Sequence, residues 1–121
     1  MKWLDRTIEA ERRRLERARK RFVHKPCEER LHDVRTTGRR LRSLLEDVRE
    51  CDPQPKLLRS VKRAGEFTDA ARDAAVIAAL LESSVGDGER AIVEPLLQEL
   101  RERERTATQE ACRRLKRVSF S

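Results

Sequence analysis

The sequence has no tyrosine, one tryptophan and three phenylalanines, so aromatics make up only 3% of its 121 residues. With so few rings, placed at expected core or terminal positions, base stacking is not expected as a binding device. No run of about 18 apolar residues occurs, which excludes a membrane-spanning helix. A signal-peptide core is missing too, since charges begin at Lys2 and recur throughout; a cytoplasmic protein is expected. The three cysteines, Cys27, Cys51 and Cys112, are odd in number and widely spaced. They suggest neither a metal site nor a disulfide framework, and reduced, partly buried thiols are expected. Only two histidines are present. No carboxylate or cysteine spacing completes a ligand set around them, so no metal or other cofactor is expected. Nor is there a Gly-rich phosphate loop, a Walker lysine, or a Ser-His-Asp or Cys-His order. The chain is not expected to be an enzyme.

What is present is charge. Charged residues make up 42%, and 29 Lys and Arg against 22 Asp and Glu leave a net +7. Residues 1–50 carry 16 basic and 10 acidic side chains, a surplus of 6; residues 51–121 carry 13 and 12, a surplus of 1. This asymmetry predicts a basic face and an anionic partner. Arginine dominates, and its planar fork suits bidentate contact with phosphate oxygens. A GC-rich gene would also enrich Arg and Ala.

Abundant Arg, Glu, Leu and Ala, with four glycines and four prolines, favour helix over sheet. Four helices are predicted. The first, about Leu4 to Val23, carries Leu4, Ile8, Leu15, Ala18 and Phe22 on one stripe. Pro26 is expected to open the second, which runs to about Glu50. In it Leu31, Val34, Gly38, Leu41, Leu45 and Val48 alternate by 3 and 4, a bundle seam. A glycine on that seam predicts close approach of a neighbouring helix. Cys51 to Pro55 make a turn. The third helix, about Lys56 to Ser83, is rich in alanine in its second half. It is either the inner helix or packs on a second subunit. Gly86-Asp87-Gly88 breaks the chain before the last helix, about Glu89 to Val118, in which Pro95 lies in the first turn or makes a kink. Long helices joined by short turns predict an all-α, up-down-up-down antiparallel four-helix bundle, one domain over residues 1–121.

In the second helix His32, Arg35, Arg39 and Arg42 are spaced 3, 4 and 3, a column about 100° around from the apolar seam and some 15 Å long. Four potential cations in a column repel one another. Either the face is solvated and ion-paired to neighbouring helices, or an extended polyanion lies along it. For His32, protonation beside an anion and a hydrogen bond to a neighbouring helix's carbonyl both stay open.

His32-x-x-Arg35-x-x-x-Arg39-Arg40-Leu41-Arg42 resembles the signature of the CHAD family, the conserved histidine α-helical domain. The run from Gly65 through Thr68-Asp69 to Arg72-Asp73 and Val76 resembles the family's third-helix segment. The resemblance covers about residues 4–85. It implies a non-catalytic, basic helical bundle that binds inorganic polyphosphate, with His32, Arg35, Arg39 and Arg42 facing the anion. Arg59 and Lys62 are expected as further contacts by position. Arg72 matches a family arginine; pairing with Asp69 or Asp73 is the favoured role for it, and anion contact the other. Arg12, Arg19 or Arg14 of the first helix is expected to line the same groove. The family usually has two four-helix units and this chain has one. Asp69 stands where Asn is common, and Ala75 where an acid is. A homodimer joined through Ala71, Ala74, Ala75, Ala78 and Ala79 would supply the missing half. The alternatives are a sequence-independent nucleic-acid-binding protein and a helical interaction scaffold.

Overall fold

A computed structural model describes residues 2–121. It contains α1 (Lys2–His24), α2 (Glu28–Asp47), α3 (Pro55–Ser84) and α4 (Arg90–Leu115). The contacts run α1–α2, α2–α3, α3–α4 and, more thinly, α1–α4. The chain is thus an all-α, up-down-up-down four-helix bundle. The predicted stripes make its core: Leu4, Ile8, Leu15, Ala18 and Phe22 of α1 meet Leu31, Val34, Leu41 and Leu45 of α2. Leu57, Val61, Ala64 and Ala71 of α3 and Ala111, Cys112 and Leu115 of α4 complete it.

Several ends differ from expectation. Pro26 lies outside α2, because Cys27 in an extended conformation is the N-cap and its carbonyl accepts the first helical bond, from the Leu31 N–H at 2.9 Å. The helix stops at Asp47, where the amides of Cys51 and Asp52 turn back onto the Val48 carbonyl. Pro55 is the proline that opens a helix, at the start of α3. Pro95 lies inside α4, in the second turn, and the helix continues through it. Residues beyond Leu115 leave the helix and fold back, burying Val118 and Phe120 in the core, Phe120 to 2% exposure.

Gly38 does not mark a forced close approach. A Cβ built there would meet Leu15 Cδ1 at 3.9 Å, ordinary contact distance. Cys27 and Cys51 are exposed; only Cys112 is buried, and burial pushes its thiol pKa up.

Helix length decides the remaining feature. At about 1.5 Å per residue, α3 with 30 residues outreaches α2 with 20. The end of α3 beyond Val76 and the start of α4 therefore project as a hairpin beyond α1 and α2. Ala78 and Leu97 bury the hairpin's own seam, while Ile77, Leu80, Ile92 and Leu96 remain exposed, Ile92 to 80%. Glu82 braces it by pairing with Arg101 and, at 3.4 Å, with Arg90. The alanines expected to face a second subunit are mostly used here: Ala71, Ala75 and Ala78 are buried within the chain, and Ala79 is exposed.

Candidate functional site: the groove between α2 and α3

Antiparallel packing lays the His32–Arg42 column against α3. Two adjoining cavities result. Arg35, Arg39 and Arg42 line the first together with Lys62, Gly65 and Thr68. His32, Arg35 and Arg39 line the second with Arg72, Ala75 and Val76. Sharing Arg35 and Arg39, the two form one groove along the α2–α3 seam. It gathers six of the ten residues named as candidate anion contacts.

The groove is not uniformly basic. Glu66 and Asp69 line its first part, and Glu28 and Glu29 its second. Each cation is held differently. Arg35 is a strut: its Nη1 donates to the Thr68 hydroxyl at 2.8 Å, to Asp69 Oδ1 at 2.9 Å and to the Gly65 carbonyl at 3.3 Å. Its side chain is only 18% exposed. Arg42 pairs with Glu46 one turn away at 3.0 Å, and Lys62 reaches the same carboxylate from α3 at 3.9 Å. The Glu46 pKa is lowered, chiefly by the Arg42 hydrogen bond. Arg39, exposed at the centre, has no carboxylate within ion-pair distance among the described residues. His32 is exposed, with Nε2 3.3 Å from the Thr36 hydroxyl of its own helix rather than against a neighbouring helix's carbonyl. Arg72 meets Asp73 at 3.6 Å and stays exposed; Asp69, its other expected partner, is taken by Arg35.

Four expected residues stand elsewhere. Arg59 is exposed one turn before Lys62 on α3 and lines neither cavity. Arg12 and Arg19 do not join the groove. They face the α4 side of α1, where the returning tail leaves carbonyls without helical partners. Arg12 binds Glu9 and reaches the Phe120 carbonyl at 3.5 Å. Arg19 donates to the Leu115 carbonyl at 3.2 Å and to the Val118 carbonyl, pairs with Glu16, and lies 5.0 Å from the Phe120 ring centroid. Arg14 pairs with Glu11 at 3.3 Å and is exposed.

Sequence reasoning missed Thr68 as a part of the site. Fully buried, it donates its hydroxyl proton back to the Ala64 or Gly65 carbonyl and accepts from Arg35. A threonine on the apolar face of α3 was the available signal. Of the groove carboxylates on α3, Glu66 was also missed and Asp69 was expected only as a partner of Arg72, because which residues oppose the column depends on how α3 is rotated. Among the described residues no group of three or more His, Cys, Asp and Glu is placed to hold a metal ion, and no helix is long and apolar enough to cross a membrane.

A family model described as CHAD domain matches residues 6–120. No curated protein and no solved structure matches the chain.

Proposed function

The chain belongs to the CHAD family, and from that premise we propose that it binds inorganic polyphosphate along the α2–α3 groove and catalyses no reaction on it. Support comes from the gathering of His32, Arg35, Arg39, Arg42, Lys62 and Arg72 by two helices into one continuous groove. A polyphosphate is thin, flexible and charged at every phosphate, so it can follow a groove that a duplex cannot enter. Guanidinium forks take its oxygens in pairs. Arg39, lacking a carboxylate, contacts the chain first. Arg42 and Lys62 exchange their shared Glu46 for phosphate oxygens. Arg35 holds α2 and α3 together so that the groove keeps its width. His32 and Arg72 extend contact toward the hairpin, and Arg59 toward the start of α3.

We also propose a homodimer, joined through the exposed apolar hairpin rather than the buried alanines. Exposed apolar side chains of this kind mark association sites. Val76 belongs both to this exposed surface and to the groove lining, so a second copy docked there would bring its own groove alongside.

The test is binding of medium-chain polyphosphate to the wild type and to the Arg39→Ala/Lys62→Ala variant, with duplex DNA as competitor at equal phosphate concentration. The variant should bind at least tenfold more weakly with an unchanged melting temperature. Affinity should fall about a hundredfold between roughly 50 and 200 mM salt, as expected for about five phosphate contacts. Unchanged affinity in the variant would reject the groove. Equal competition by DNA would favour sequence-independent nucleic-acid binding instead.

A further inference from the structure

A second concave basic surface lies on the other side of α3, where the last turn of α4 and the returning tail pack against it. Arg63, Phe67, Arg113, Arg114 and Arg117 line it, with hydroxyls from Ser60 and Ser119. Unlike the groove, it has no carboxylate in its lining. Arg63 and Arg117 have no carboxylate within ion-pair distance among the described residues, and Arg113 and Arg114 share one, Glu110, outside the cavity. Hydrogen bonds from Arg113 and then Arg114 hold that carboxyl down at about 2, so it stays ionised and is already committed to two guanidinium groups.

Two of the four like charges, Arg63 and Arg114, meet on one ring. The Arg63 guanidinium lies 5.5 Å from the Phe67 centroid and that of Arg114 lies 5.4 Å from it. The negative π-face attracts both cations and offsets part of their repulsion. What remains is a cavity offering N–H and O–H donors with excess positive charge. Such a lining is complementary to an acceptor-only, multiply charged ligand. Along α3 it extends only from Ser60 to Phe67, about 10 Å, room for one or two phosphoryl groups rather than a chain.

We propose that this surface is a second anion site, separate from the α2–α3 groove, that takes a compact phosphoryl anion of the pyrophosphate class. Arg63 and Arg117 supply the uncompensated charge, Phe67 spaces the forks, and the two serines donate to the remaining oxygens. The site stands on its own residues and does not depend on polyphosphate occupying the groove.

Titration of the full chain with inorganic pyrophosphate, followed residue by residue by amide NMR, tests it. Saturable shifts should appear at Ser60, Arg63, Phe67 and Arg113 to Ser119. In the Arg63→Gln/Arg117→Gln variant the same shifts should need at least tenfold more pyrophosphate, while Arg39→Ala/Lys62→Ala leaves them unchanged. Phe67→Leu keeps all four charges and should weaken the site about threefold by releasing the forks. Absence of saturable shifts there, an unaltered titration in Arg63→Gln/Arg117→Gln, or equal loss in the groove variant would each overturn the proposal. Both substituted arginines are exposed, and the unaffected remainder of the amide spectrum verifies that the variant is folded.

Discussion

Arg35 on α2 reaches across to Asp69 on α3 at 2.9 Å, and this pair ties the two walls of the groove together. The same nitrogen also donates to the fully buried Thr68. An arginine in the middle of the column is therefore part of the scaffold that holds the other cations.

It follows that Arg35→Ala destabilises the fold while Arg39→Ala does not. Removing Arg35 leaves the Thr68 hydroxyl without its donor, a loss of roughly 1–3 kcal/mol. The exposed Asp69 carboxylate adds little, because solvent screens it. Arg39→Ala should stay within about 0.5 kcal/mol of wild type. Urea denaturation of the two single variants measures the contrast; equal stabilities would mean that Arg35 is not a strut.

Gly38→Ala should stabilise. A Cβ meets only Leu15 Cδ1, at 3.9 Å, and alanine removes the entropic penalty of glycine inside a helix, about 0.5–1 kcal/mol. Thermal unfolding should shift upward by a few degrees. A fall would mean that α1 and α2 approach more closely than this geometry allows.

The tail is a structural element. Phe120→Ala should cost about 3 kcal/mol, near the lower end for a buried phenylalanine because the chain end can relax. Arg19→Ala should couple to it in a double-mutant cycle, since Arg19 holds the tail carbonyls and lies over the ring. Additive effects of the two substitutions would rule that coupling out.

Glu9 should titrate at about 2, held down chiefly by the hydrogen bond from Arg12 against the opposing effect of burial, with a lesser hydrogen bond from Arg13. A folded pKa below the unfolded one contributes stability above the unfolded value, near 4.5, that is lost as pH falls toward 2. The pair is largely solvated, so the change in stability is small. Carboxyl NMR resolves the midpoint directly, and Arg12→Ala should move it up toward 4.5. A wild-type midpoint already near 4.5 would contradict the pairing.

Light scattering checks the assembly. A dimer mass, increased in proportion by polyphosphate, is expected for the wild type. Leu80→Glu/Ile92→Glu should give a monomer. A monomer mass for the wild type at concentrations well above micromolar, with and without polyphosphate, would exclude the dimer.

Periodicity and composition were enough to determine four helices, the apolar stripes of the first two, and the column from His32 to Arg42. Those are local properties: 3.6 residues per turn converts spacing into a face with no knowledge of neighbours. Short connections between long helices then leave little choice but antiparallel packing, so the bundle was legible as well. Which face meets which is not local. The rotation of α3 against α2 decided that Arg35 is a strut, that Arg39 is left without a carboxylate, and that Glu66 and Asp69 share the groove. The return of the tail decided the roles of Arg12 and Arg19, because carbonyls freed after Leu115 need donors and only folding brings α1 to them. The sequence predicted α2 and α3 of nearly equal length; only the folded ends of α2, at Glu28 and Asp47, leave α3 to outreach it and expose the hairpin. The arginines around Phe67 are scattered over α3, α4 and the tail, and only packing assembles them, because charge accumulates in space and not along the sequence.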